Sequence, residues 1–170
     1  SEQGTGGVEI MSIHRSKGLE FPVVILCDLN RRFNGTDLTR PVLVHPRLGL
    51  GTERVDTDLR VRYPTVSKIA LAREMEKEML SEEMRLLYVA MTRAKEKLIL
   101  VDCLKNARSH VQKLTALTDL PVPPQVVRSA KTMGDWVLQA LLCSTEAGTL
   151  HVWSETQPQT RQSAAGWRGD

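Results

Sequence analysis

Cysteine is scarce in this chain of 170 residues. The three present, Cys27, Cys103 and Cys143, are odd in number, widely spaced and in no C-x-x-C pattern. Neither a disulfide framework nor a zinc site is expected from them, and a reducing, cytoplasmic setting is. Long apolar runs are missing too. Even LLYVAM at residues 86–91 and VVILC at 23–27 fall far short of the ~20 residues that cross a bilayer. No charged-then-apolar leader opens the chain, so neither secretion nor a membrane partner is expected. There is no strong excess of one charge either: 23 Lys+Arg against 20 Asp+Glu leaves +3. A module that grips nucleic acid by bulk charge alone is normally more basic. The first residues are Ser1-Glu2-Gln3-Gly4, with no methionine, as expected of a segment of a longer protein. What is present is an ordinary globular composition, 41% hydrophobic and 25% charged, with enough apolar material for one core.

Along the chain, residues 8–13 (VEIMSI) are expected to be a strand buried on both faces, followed by a polar turn that Pro22 closes. The β-branched run at 23–27 predicts a fully buried strand of a parallel sheet. Residues 29–64, interrupted by Gly35, Gly49, Gly51, Pro41, Pro46 and Pro64, predict an inserted loop with one or two hairpins. From residue 65 to 94 the apolar spacing turns helical, through Ile69, Ala72, Met75 and Met79 and then Leu87, Ala90, Met91 and Ala94. Ser81 before Glu82 and Glu83 looks like an N-cap with an acidic first turn, so two abutting helices are expected. A buried strand at 98–101, a helix at 107–117, a stiff Pro-rich connector at 120–124, a helix at 132–142 anchored by Trp136 and a polar linker at 154–170 complete the reading. The order implies an α/β fold with parallel strands, flanking helices and a hairpin-containing insertion. The four Met residues 75, 79, 84 and 91 are assigned to packing. His45, His110 and His151 share no metal-ligand spacing.

Two segments carry chemistry. The first, SIHRSKGLEFP at residues 12–22, gathers a hydroxyl, an imidazole, cations, a glycine and a carboxylate between two expected strands. That is the strand end at which open α/β sheets bind ligands. Cations and N–H groups suit phosphate, a carboxylate suits a ribose hydroxyl, and Gly18 allows the backbone to come close to a ligand. The same residues also make an ordinary solvated loop. In the second, EEMRLLYVAMTRAKEKL at 82–98, a helix ends beside Arg93 and a strand begins. Arg93, Lys95 and Lys97 suit a helix C-terminus, worth ~0.3–1 kcal/mol. An arginine aimed at a transferring phosphoryl group is worth ~10³–10⁵ in rate, and its planar fork holds two oxygens where lysine cannot. If the sheet is parallel, Arg93 lies on the same sheet edge as the first segment. Arg31, Arg32, Arg60 and Arg62 are read as solvated before they are read as phosphate contacts.

Together, IMSIHRSKGLEFPVVIL and EEMRLLYVAMTRAKEKLIL resemble motifs V and VI of superfamily 1 UvrD-like DNA helicases. LNRRFNGTDL, HPRLGLG and SAKTMGDWVLQALL resemble the AddA/RexA subunits of bacterial AddAB helicase–nucleases. The resemblance covers roughly residues 8–142. It implies the C-terminal part of a second RecA-like helicase domain (domain 2A) at 1–118, with 29–64 inserted. Residues 119–170 would then lead toward a nuclease domain. It implies Arg93 as the catalytic arginine for the γ-phosphate, Glu20 on the ATP ribose with Lys17 and Gly18 shaping its loop, and Ser12 and His14 coupling the site to DNA. Ser12 stands where threonine is more usual. Arg85 and Tyr88 are expected to pack and brace the helix.

The implied cofactor is ATP with Mg²⁺, bound mainly by an N-terminal helicase domain. The implied partners are single- and double-stranded DNA and an AddB-like subunit, in double-strand-break processing and recombinational repair. No G-x-x-x-x-G-K-[ST] loop and no Asp-Glu pair after an apolar strand occur, so the segment alone is expected to hydrolyse no ATP. A non-catalytic helicase-like interaction module, and a UvrD/PcrA-type helicase without a nuclease, are the alternatives.

Overall fold

The structure, a computed structural model, describes residues 7–117, 122–144 and 148–152. The expected linker at 154–170, the start of the connector at 120–121, and Trp153 and Trp167 lie outside them.

Strands β1 (Phe21–Leu26) and β5 (Ala94–Leu100) form a parallel pair, with Val24 opposite Leu98 and Leu26 opposite Leu100. The register slips between Phe21 and Val23, where Pro22 has no N–H to give the ladder. Between them in sequence lie β2 (Val42–His45), β3 (Gly49–Asp56) and β4 (Val61–Pro64), a three-stranded antiparallel meander that gives the expected insertion two hairpins. The second hairpin turns on Asp56, whose Oδ1 accepts from the N–H groups of Asp58 (3.1 Å) and Leu59 (2.9 Å).

Helix α1 (Val66–Met91) is one uninterrupted helix of 26 residues rather than two. Thr65 caps it, its hydroxyl oxygen accepting from the Lys68 N–H. The apparent break at Ser81 has a physical cause. The helix buries Lys68 and Leu71 in its first half, but Leu87 and Ala90 in its last. At 100° per residue, positions 68 and 87 lie about 100° apart around the axis. The early face packs on the antiparallel sheet and the late face on the core beneath β1. A shift of stripe along one helix reads in sequence as two helices. Gly51 makes the first contact possible: a Cβ there would sit 2.7 Å from the Lys68 Cα.

Helices α2 (Ala107–Leu117), α3 (Pro124–Ser129) and α4 (Met133–Cys143) follow. The expected extended connector gives way to α3 at Pro124, a residue whose fixed φ suits the first helical turn. The core gathers Leu29, Leu87, Ala130 and Trp136, joined by Leu26, Phe33, Leu100 and Met133. Trp136 anchors α4 as expected: its ring lies 4.7 Å from Phe33 and its indole N–H donates to the Val127 carbonyl at 2.8 Å. Met75 and Met79 are half-buried, whereas Met84 and Met91 are exposed.

Two strand expectations fail. Residues 8–12 form no strand, and Val8 and Ile10 are 92% and 93% exposed. Apolar alternation makes a strand only where a neighbour accepts its ladder, and the described parallel sheet contains β1 and β5 alone. The run at 23–27 does form a strand, but Val23 and Ile25 are 49% and 58% exposed. Helix α1 and the core cover one face of the pair, and no described element covers the other. Among the described residues no helix is long and apolar enough to cross a membrane.

Candidate functional site

Residues 12–18 form a helical turn. The Ser12 carbonyl accepts from the N–H groups of Arg15 (3.0 Å) and Ser16 (3.2 Å), and the buried Ser16 hydroxyl donates to the Ile13 carbonyl at 2.8 Å. Gly18 ends the turn with φ +83°. Its need for glycine is conformational, since a Cβ at this position would meet open space. The chain then extends through Leu19 and Glu20 into β1.

Arg93 stands where α1 has ended and β5 is about to begin. Its guanidinium is fixed by three bonds: Nε donates to the Val89 carbonyl (2.9 Å), Nη1 to the Leu19 carbonyl (2.9 Å) and Nη2 to the Thr92 hydroxyl (3.1 Å). Its own carbonyl accepts from the Phe21 N–H at 2.9 Å. One residue therefore grips the backbone on both sides of Glu20. The Glu20 carboxylate in turn meets Lys95, Oε2 to Nζ at 3.1 Å, with both side chains 58% exposed. The helix-terminus reading of Arg93 is also true in part, because its Nε satisfies a carbonyl of the last turn. Lys95, by contrast, turns to Glu20.

The expected convergence of Arg93 and Glu20 on one edge of a parallel sheet is found. That edge lies at the amino-terminal ends of β1 and β5, not at a strand's carboxyl end, because residues 8–12 are not a strand. The carboxyl end of β1 instead opens on a cavity of about 360 Å³ lined by Ile13, Leu26, Asp28, Arg31, Phe33 and Met133. Ile13 at that cavity and Leu19 under Arg93 mark the two ends of the intervening segment. Residues 13–19 thus run alongside the strand pair from one end to the other. Lys17 and Gly18 lie just before the Glu20 rim. Ser12 and His14 are exposed at the far end of the turn, and no hydrogen bond or ion pair joins their side chains to Glu20 or Arg93.

Lys95 is the site residue that sequence reading assigned elsewhere. Its pairing arises from the β1–β5 register, which places Phe21 opposite Ala94, and no local spacing encodes that. Arg85 pairs with Glu82 at 2.9 Å and braces α1, but Tyr88, expected to pack, is 68% exposed.

Away from the rim, the histidines of the meander and of α2 are structurally satisfied. His45 is buried: Nε2 lies 3.1 Å from Glu78 Oε2, and Nδ1 accepts from the N–H groups of Arg47 and Leu48. Bonds from His45 and then Arg47 hold the Glu78 carboxyl below its ordinary value. His110 meets Asp135 at 2.8 Å, tying α2 to α4. Nearby, burial pushes the Asp102 carboxyl up. Among the described residues no group of three or more His, Cys, Asp or Glu is placed to hold a metal ion.

Comparison with known proteins gives the site its context. Residues 1–105 match the model of the UvrD-like helicase C-terminal domain. The chain is 49% identical over 156 residues to a subunit of the ATP-dependent helicase/nuclease of Heliobacterium modesticaldum, covering 89% of this chain and 11% of that protein. Proteins of the same description from Bacillus cytotoxicus and Clostridium botulinum are 44% and 46% identical over 137 and 142 residues, covering 79% and 82% of this chain and 11% of each relative. The chain thus spans about a ninth of the length of these relatives. With both sequence segments and the rim they build inside the matched region, the chain belongs to the UvrD-like helicase C-terminal domain family.

Proposed function

We propose that this chain is the part of an AddA-like ATP-dependent helicase–nuclease that closes one side of its ATP site. The fold would be the C-terminal portion of a second RecA-like domain, residues 1–118, with the meander as its insertion and residues 119–170 leading on toward a nuclease domain. Arg93 stabilises charge developing on the γ-phosphate, Glu20 accepts a hydrogen bond from the ribose, and Lys17 and Gly18 shape the loop beside it. Ser12 and His14 face single-stranded DNA, and the turn that joins them to Glu20 transmits closure of the ATP cleft to the strand.

The observation that carries this reading is the double grip of Arg93 on the backbone around Glu20. The two segments with the right chemistry form one rigid rim. The donor set fits a triphosphate. An arginine has five N–H donors, and three are engaged within the protein. One N–H on each Nη remains to donate to phosphate oxygens. Glu20 Oε1 has no partner among the described residues and faces a hydroxyl donor freely. ATP with Mg²⁺ supplies the phosphoryl chemistry. The described residues offer no metal cluster, so the cation and the β- and γ-phosphates would be held by a domain across the cleft. The segment alone is then inactive, and an AddB-like subunit, duplex and single-stranded DNA and a cytoplasmic role in double-strand-break repair belong to the whole assembly.

Steady-state ATP hydrolysis by the full-length parent chain with DNA present tests the assignment. Arg93→Ala is expected to lower kcat by ~10³ or more with DNA affinity kept, and Glu20→Gln to raise KM. A kcat unchanged in Arg93→Ala would leave a helicase-shaped interaction module as the better description.

A further inference from the structure

We propose that Lys95 is a positioning residue for Glu20, holding its carboxylate ready for a ribose hydroxyl. The inference rests on the proposed role of Glu20 at the ribose and adds a residue to which the resemblance gives no role. Three restraints meet at Glu20. Arg93 holds the carbonyl before it through Nη1 and the N–H after it through its own carbonyl, both at 2.9 Å, so the backbone is set. The third restraint is Lys95, whose Nζ lies 3.1 Å from Oε2 and selects the side-chain rotamer.

A free glutamate on an open rim samples many rotamers, and binding must then order it at an entropic cost. With Oε2 engaged and Oε1 unengaged, the carboxylate presents one acceptor in one direction. A ribose hydroxyl reaches it without further ordering. Lys95 is suited to this work because it comes from β5, the element that begins just after Arg93. The carboxylate for the sugar and the guanidinium for the phosphate are therefore registered on one strand. Lys97, two residues on and on the same strand face, has no carboxylate partner among the described residues, so the pairing is specific to position 95.

An exposed ion pair of this kind is worth little to folding, ~0.2–1 kcal/mol, and removing it leaves a folded, testable protein. The experiment measures ATP hydrolysis by the full-length parent chain on DNA, for wild type, Lys95→Met, Lys95→Arg, Glu20→Gln and the Lys95→Met/Glu20→Gln double variant. Lys95→Met is expected to raise KM for ATP about two- to fivefold, the equivalent of such a pair, with kcat unaltered. Lys95→Arg restores KM, and the double variant equals Glu20→Gln alone, because Lys95 acts only through the carboxylate.

Three results overturn the proposal. A fall in kcat, or effects that add in the double variant, would put Lys95 on the phosphates itself. An unaltered Lys95→Met beside a Glu20→Gln that raises KM would remove Lys95 and leave Glu20 at the ribose. A Glu20→Gln without effect on KM would remove both together.

Discussion

Single residues in this chain do two kinds of work, and Glu78 and Arg93 illustrate them. Glu78 is a clasp. It joins the exposed Arg47 and the buried His45 of the meander to α1, at 2.9 and 3.1 Å, and those bonds lower its pKa from 4.5. A carboxyl whose folded value is depressed adds stability above its unfolded value and loses it as pH falls through the folded one. Unfolding midpoints are thus expected to decline below about pH 4.5, the ordinary value, and Glu78→Gln to flatten that decline. A slope unchanged by the substitution would show that the clasp contributes nothing. The raised Asp102 works in the opposite sense, since protonation relieves its burial as pH falls.

Arg93 is the other kind, a group held by carbonyls of the helix end and of the Glu20 segment, and in the proposed function it faces a nucleotide. Its pairing with the Glu20 segment was legible in sequence because both residues sit in long, specific motifs. The carbonyls that hold it, Val89 and Leu19, were not. Any residue presents a carbonyl, so such a bond leaves no trace in residue identity. Lys95 was hidden for a related reason, its partner lying 75 positions away across a strand register.

At the level of elements, the sequence reading succeeded where local pattern and tertiary partner agree. The insertion hairpins and helix α4 meet that condition, and residues 23–26 meet it as a strand, though not as the fully buried one expected. It failed where a neighbour decides. VEIMSI alternates like a strand but has no ladder to join, and α1 changes its buried face midway while remaining one helix. The hinge of that change is the seat of α1 on β3, where Gly51 meets the Lys68 backbone. Lys68 there is buried and paired with Glu53. A methyl group at 51 must push against Lys68 Cα and N rather than against a yielding side-chain tip. Gly51→Ala is accordingly expected to cost about 1–3 kcal/mol, as overpacking does, read by denaturant unfolding of this chain. A cost near zero would mean that the sheet and helix move apart freely.

For the molecule as a whole, the parallel pair matters most. It is covered on one face, carries the Arg93–Glu20–Lys95 rim at its amino-terminal end and opens on a cavity at its carboxyl end. The rim is an open surface, as expected of one side of a site shared across a cleft. Residues 13–19 span the two ends, so on the proposed function a nucleotide-driven shift at Leu19 would have a short covalent path to the Ser12 and His14 end. That Arg93 and Glu20 share an edge was legible in sequence; that this edge offers only the amino-terminal ends of strands was not, because a strand was expected at 8–13. The decisive measurement is the single-turnover rate of ATP hydrolysis by the full-length parent chain carrying Arg93→Lys, which keeps the charge and removes the fork. The account expects that rate to fall by ~10³, with ATP and DNA affinities within a few-fold of wild type. A lysine variant that hydrolyses ATP at close to the wild-type rate would contradict it.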